Sequence, residues 1–243
     1  MSGAEGPVSA AQGPETGAER NLEARLLDLY HRLLDRYGPQ GWWPGDGPLD
    51  VVIGAILTQS AAWTNVERAI ANLKAAGCWS LEAIHQQTQD DLAAIIRPSG
   101  YFNAKARKLK AFAEHVHLHH SGHLEALLSQ GIVPLRAELL SIHGIGPETA
   151  DDIVLYAAGK PSFVIDAYTR RIVQRLGVLS EEGRQDYATY QGLFHENLPR
   201  DPVLFNEFHA LLDRHAKEAC AKTPRCVGCC LAEVCTTGQR LLG

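Results

Sequence analysis

Four cysteines near the C-terminus, Cys220, Cys226, Cys229 and Cys235, are spaced C-x5-C-x2-C-x5-C in "CAKTPRCVGCCLAEVC". Four thiolates in so short a stretch can surround one metal ion or one cluster. Structural zinc and a 4Fe-4S cluster both take four cysteine thiolates, and the spacing alone leaves the two open. Cys230 is a fifth thiol beside Cys229, and the regular spacing favours Cys229 as the ligand. Cys78 is remote and reads as a small buried apolar residue.

A second chemical feature is "SIHGIGPETADDIVLYA", Ser141 to Ala157. Gly144 and Gly146 permit positive φ and let another molecule approach the backbone. Pro147 suits a first helical position, and Glu148 complements the positive end of the helix dipole. Ile145, Ile153, Val154 and Ala157 form one apolar face at helical spacing. Upstream, "PLRAELLSI" also reads as a helix. The unit is helix, glycine-cornered turn, helix. Unpaired amides in such a turn bind an anion, above all a phosphate. An ordinary helical hairpin with a glycine cap is the alternative reading of the same residues.

The elements that must position these groups are helical. "NLEARLLDLYHRLLDRYG" repeats apolar residues every three or four positions and ends at Gly38. "VVIGAILTQSAAWTNVERAIANLKAAG" predicts two helices broken near Gln59 to Thr64. Ser80 and Thr88 suit helix N-caps. "NAKARKLKAFAEHVHLHHSG", "DAYTRRIVQRLGVL" and "FNEFHALLDRHAKEAC" continue the pattern. The best strand candidate is the short "PSFVID", so the fold class is all-α. No fixed-period repeat occurs. The histidines, including "HVHLHH", show no metal-ligand spacing.

The net charge of −5 excludes a polybasic coat but not local basic clusters. No run of about 18 apolar residues predicts a membrane span. The first 20 residues, rich in Gly, Ala, Ser, Pro and Glu, read as a disordered tail without a secretory pattern. A cytoplasmic address is expected, with the cysteines reduced or metal-bound.

The glycine hairpin, the aspartate in "FVIDAYTRRI" and the terminal four-cysteine loop occur in one order. Together they resemble the helix-hairpin-helix DNA glycosylases of the endonuclease III superfamily, over roughly residues 22 to 238. Family members space the loop C-x6-C-x2-C-x5-C, so the first gap here is one residue short. The resemblance favours a 4Fe-4S cofactor over zinc. It implies an iron–sulfur domain of residues 21–40 with 161–243, and a helical barrel domain of 41–160 carrying the hairpin, with a DNA cleft between them. It further implies a monomer acting on damaged double-stranded DNA, in the cytoplasm at the nucleoid.

The same resemblance assigns roles. A damaged base must be flipped out of the duplex to be reached. Gly144 and Gly146 then grip phosphate, with charge added by Lys105, Arg107, Lys108 and Lys110, and by Arg170, Arg171, Lys222 and Arg225. "LTQSAAWTN" matches a first intercalating loop, with Gln59 or Ser60 as plug. "RPSGYFNAKARK" matches a second, with Tyr101 as wedge and Phe102 in the core. Asp166 takes the place of the catalytic aspartate, able to stabilise a sugar cation and to activate water. It also suits the N-cap of its own helix.

In bifunctional members a lysine stands two places after the second hairpin glycine and forms a Schiff base. Here that position is Glu148, which implies a monofunctional enzyme using water. "LTQSAAWTNVERAI" and "VIDAYTRR" are most similar to the 3-methyladenine glycosylase branch. That branch implies an aromatic pocket for a cationic base, for which Trp42, Trp43, Trp63, Tyr168 and Lys217 are candidates. Two rival readings remain: a bifunctional pyrimidine glycosylase using Lys160 or Lys217, and a DNA-binding module without the chemistry.

Overall fold

The computed structural model describes residues 17–43, 45–179 and 185–243. Among these residues there are α-helices and no strand. In chain order the helices are α1 (Gly17–Tyr37), α2 (Pro48–Leu57), α3 (Trp63–Ala75), α4 (Leu81–Gln86), α5 (Gln89–Ile95), α6 (Phe102–His120) and α7 (Leu124–Leu128). There follow α8 (Ile132–Ser141), α9 (Pro147–Asp152), α10 (Ala167–Leu176), α11 (Tyr187–Asn197), α12 (Pro202–Glu218) and α13 (Thr236–Leu242). A π-helical turn, Ile153–Ala157, continues α9.

Local chemistry accounts for many boundaries. Ser80 and Thr88 each cap a helix by accepting from the amides of Ala83 and Asp91. Gly38 closes α1 in the left-handed region, at φ 69°. Helix α1 begins at Gly17, inside the stretch expected to be a tail, because Ala18, Glu19 and Arg20 favour helix over coil. The rest of the expected tail lies outside the described residues.

"PSFVID" is extended but pairs with no strand. Its backbone groups are satisfied by side chains instead: the Phe163 amide donates to His195 Nε2 at 2.8 Å, and the Phe163 carbonyl accepts from Gln191 Nε2 at 2.8 Å. Both partners lie on α11. Buried peptide groups thus find partners without a sheet.

Apolar residues gather in two clusters. One is built from residues between Val52 and Val154, and includes Ile56, Leu57, Phe112 and Leu139. The other joins Leu26, Leu29 and Leu33 of α1 to residues from Leu155 through Leu231. Helix α2 is apolar all round and buried from Asp50 to Leu57, which places it centrally. It packs on α9 and the π-turn, so the hairpin rests on a rigid support.

Candidate active site and nucleic-acid interface

Asp166 is the N-cap of α10. Its Oδ1 accepts from the Thr169 amide at 2.7 Å, which fixes the carboxylate by a local bond. The other oxygen has no protein hydrogen bond among the described residues, and the side chain is 21% exposed. One carboxylate therefore both ends the extended segment and offers a free oxygen to solvent.

Behind it lies a buried pair that sequence reading missed. His209 Nε2 faces Asp166 Oδ1 at 4.0 Å. Its Nδ1 lies 2.6 Å from the Tyr156 hydroxyl. Burial holds the Tyr156 hydroxyl well above its ordinary pKa, so it stays a donor. Nδ1 is then the acceptor, and the ring proton sits on Nε2, aimed at Asp166. Burial also lowers the His209 pKa against the pull of Asp166 and Asp213, which favours the neutral ring. No motif marks His209 or Tyr156, which meet from helix positions 53 residues apart.

Two more carboxyls approach Asp166. Glu148, in the first turn of α9, is pushed up to about 7 by desolvation and by the Asp166 charge, with Arg170 opposing. The residue still presents ample surface to water, so this crowding is one-sided. Asp152 is buried one turn on, and desolvation, then Glu148 and Asp166, raise its carboxyl well above the ordinary range. Its neighbour Asp151 is fully buried but paired, accepting from Arg136 at 2.8 and 2.9 Å and from Ser162 at 2.6 Å. That pair ties α9 to α8.

Aromatic rings flank the same region. Trp42 lies 5.9 Å from His209 and 6.4 Å from Tyr156, ring centre to ring centre. Lys217 Nζ stands 5.9 Å from the Trp42 ring and 6.0 Å from Tyr168, while donating to Asp213 Oδ2 at 2.6 Å. Trp63 packs edge-on to Trp43 at 5.6 Å, and its indole N–H donates to Glu67. The structure thus groups Trp42, Tyr168 and Lys217, with Trp63 one ring further out. Lys160 is engaged elsewhere, donating to the Leu128 carbonyl at 2.5 Å.

The hairpin differs from expectation at one glycine. Gly144 has φ +84°, which favours glycine, and a Cβ there would meet Lys108 Cγ at 2.3 Å and displace that side chain. Gly146 is extended, at φ −93° and ψ 178°, with nothing within 4 Å of an added Cβ. Its glycine is not required by the chain's own packing. Neither amide donates to a protein acceptor among the described residues.

The two loops beside the hairpin present different side chains. Ser60 and Tyr101 both take left-handed conformations, at φ 54° and 46°, and both are exposed, Tyr101 by 74%. Gln59 is instead bound to the hairpin, donating to Thr149 Oγ1 at 2.8 Å and contacting the Gly144 carbonyl at 3.4 Å. Phe102 packs against the first cluster.

Several cations expected at the surface are spent internally. Lys105 is 2% exposed, and its ammonium donates to the carbonyls of Leu57 and Ser99, both at 2.7 Å. It closes the end of α2 and is not placed to contact DNA. Desolvation, with Lys108 adding to it, lowers its pKa to about 8. Lys110 donates to His85 and Gln87 carbonyls. Arg170 lies over Tyr187 and Tyr190, and Arg171 donates to the Cys220 carbonyl at 2.8 Å. Arg225 turns back to the Glu218 carbonyl. Arg107 and Lys222 remain exposed.

Cys220, Cys226, Cys229 and Cys235 line one small pocket between α10, α12 and the terminal loop; Cys230 does not. Arg175 fastens this loop, donating to Cys220 Sγ at 3.2 Å and to the Ala221 carbonyl at 2.6 Å. The Gly238 amide donates to Cys235 Sγ at 3.4 Å.

Comparison with known proteins matches residues 53–196 to the family described as HhH-GPD superfamily base excision DNA repair protein. The putative DNA repair glycosylase MJ1434 of Methanocaldococcus jannaschii is 44% identical over 219 residues, covering 89% of this chain and 98% of that protein. A thymine-DNA glycosylase of Aeropyrum pernix is 25% identical over 228 residues, covering 91% of this chain and 96% of its own. Among solved structures, H. pylori 3-methyladenine DNA glycosylase (MagIII) bound to 1,N6-ethenoadenine superposes with a TM-score of 0.68 at 26% identity. That match covers 82% of this chain and 97% of the other.

Proposed function

Since this chain belongs to the HhH-GPD superfamily of base excision DNA repair proteins and is a DNA glycosylase, we propose that it releases a damaged base by hydrolysis and leaves the strand intact. The observation that carries this reading is Glu148, a carboxyl that feels the Asp166 charge, at the position where the bifunctional pattern has its lysine. Water attacks the sugar C1′, the N-glycosidic bond breaks, and its electron pair leaves with the base. The water proton passes to the unbonded oxygen of Asp166 and then to solvent. The carboxylate charge meanwhile opposes the positive charge growing on the sugar.

The base is an alkylated purine in this reading. Trp42 and Tyr168 already receive one cation, Lys217, at ring distances of about 6 Å, and a cationic base suits the same faces. The likeness to MagIII points the same way. The 25% identity to a thymine-DNA glycosylase favours mispaired thymine as the second reading. The chain acts as a monomer on duplex DNA at the nucleoid. Amides at Gly144 and Gly146 hold phosphate, Tyr101 is the wedge and Ser60 the plug. The two apolar clusters correspond to the two domains, with DNA between them.

We further assign Cys220, Cys226, Cys229 and Cys235 to a 4Fe-4S cluster. They line one pocket, four thiolates are the ligand set such a cluster takes, and the likeness to the endonuclease III superfamily favours it over zinc. Such a cluster would cross-link the loop from Cys220 to Cys235 to itself, and the hydrogen bond from Arg175 to Cys220 Sγ would hold that loop against α10.

A panel of duplexes with defined lesions tests the function. Expected are release of 3-methyladenine, no strand nicking, and no borohydride-trapped adduct. Asp166→Asn should slow release by ~100-fold or more while keeping DNA affinity, since an Asn oxygen still caps Thr169. A trapped adduct forming as fast as base release overturns hydrolysis, and excision of thymine alone selects the second reading.

A further inference from the structure

Helix α6 ends in a histidine-rich segment that the reaction does not use. His115 Nε2 lies 2.7 Å from Glu138 Oε1, and His120 Nε2 lies 2.6 Å from the same oxygen. The three atoms all fall within 4.8 Å of one another. Their side chains are 17%, 14% and 22% exposed, so an ion can reach them from solvent while protein shields much of its shell.

We propose that His115, His120 and Glu138 form a zinc site that clamps α6 to α8, the helix leading into the glycine hairpin. Two imidazoles and a carboxylate are a donor set zinc takes when it keeps a fourth position for water. Ligand distances of about 2.0–2.2 Å around one ion need only small rotations from the present contacts. The remaining carboxylate oxygen is already held, since Gln130 Nε2 donates to Glu138 Oε2 at 2.5 Å. Such an outer bond orients a ligand and adds to affinity. The neighbouring histidines lie outside the set. His117 turns to Glu82 at 3.5 Å, and His119 lies tilted beside His115 with ring centres 4.4 Å apart.

The alternative is a metal-free clamp in which both imidazoles donate to one carboxylate. Glu138→Gln separates the two, because glutamine retains the accepting oxygen but lacks the charge a divalent ion needs. Zinc chloride is titrated by calorimetry into the full-length protein, isolated with its cysteine site as it stands. Cobalt(II) spectra then report whether sulfur takes part. Expected is one equivalent of zinc in the unaltered protein, and a cobalt spectrum with ligand-field bands but no thiolate charge transfer. Glu138→Gln and His115→Ala/His120→Ala should lower that affinity by at least about tenfold, while His119→Asn retains it. Equal zinc binding by the unaltered protein and Glu138→Gln, or no binding by either, overturns the site. Circular dichroism establishes that each variant is folded, and Glu138→Gln preserves the clamp if the alanine pair does not fold.

Discussion

His209 Nε2 stands 4.0 Å from Asp166 Oδ1 and has no hydrogen-bond partner among the described residues. A buried N–H without a partner is costly, and here it is aimed at the carboxylate on which the chemistry depends. Tyr156 fixes this arrangement by occupying the other ring nitrogen. The gap exceeds a hydrogen bond, and we expect it to close directly or through one water when DNA binds.

His209 and Tyr156 are therefore positioning residues. Tyr156→Phe frees the imidazole tautomer, and His209→Phe removes the N–H while keeping a ring beside Trp42. Each should slow single-turnover release by about tenfold, equivalent to about 1.4 kcal/mol and close to one hydrogen bond to a charged group. DNA affinity should hold. Unchanged release in both variants would remove His209 from the site.

The Glu148 carboxyl, raised to about 7, sets a pH dependence. Below that pH it is neutral; above it, Glu148 adds a second negative charge near the sugar cation. Release should therefore rise as pH passes upward through about 7, and Glu148→Gln should lose that inflection. A flat profile for the unaltered protein across neutrality contradicts the assignment.

The two hairpin glycines should respond differently. Gly144→Ala forces a Cβ against Lys108 in a left-handed residue, so it should lower the melting temperature. Gly146→Ala meets nothing in the free protein. Its melting temperature should stay put while its affinity for abasic-site DNA falls, whatever the flanking sequence. If affinity is unaffected, Gly146 does not meet the phosphate backbone.

The cysteine assignment predicts brown protein after anaerobic purification, with about four irons per chain. Cys229→Ser should lose the colour and Cys230→Ser should keep it, because Cys230 does not line the pocket. Colourless protein with one zinc per chain refutes the cluster.

Features set by neighbours in the chain were legible before folding. Ser80, Thr88 and Asp166 cap helices because the amide each receives lies three residues on. The all-α class follows from apolar periodicity, and the Glu148 substitution is visible as one letter after the hairpin. Burial and remote pairing were not legible in this way. Lys105 reads as one more cation in a basic run, yet it lies where two carbonyls from separate segments converge. Gly146 reads like Gly144, but only Gly144 is pressed by a side chain from α6. His209 carries no local signature, since its role arises from Tyr156 and Asp166 meeting it across the second apolar cluster. A capping bond is chosen by a few adjacent torsions, whereas the environment of a buried charge is chosen by which distant helices pack around it.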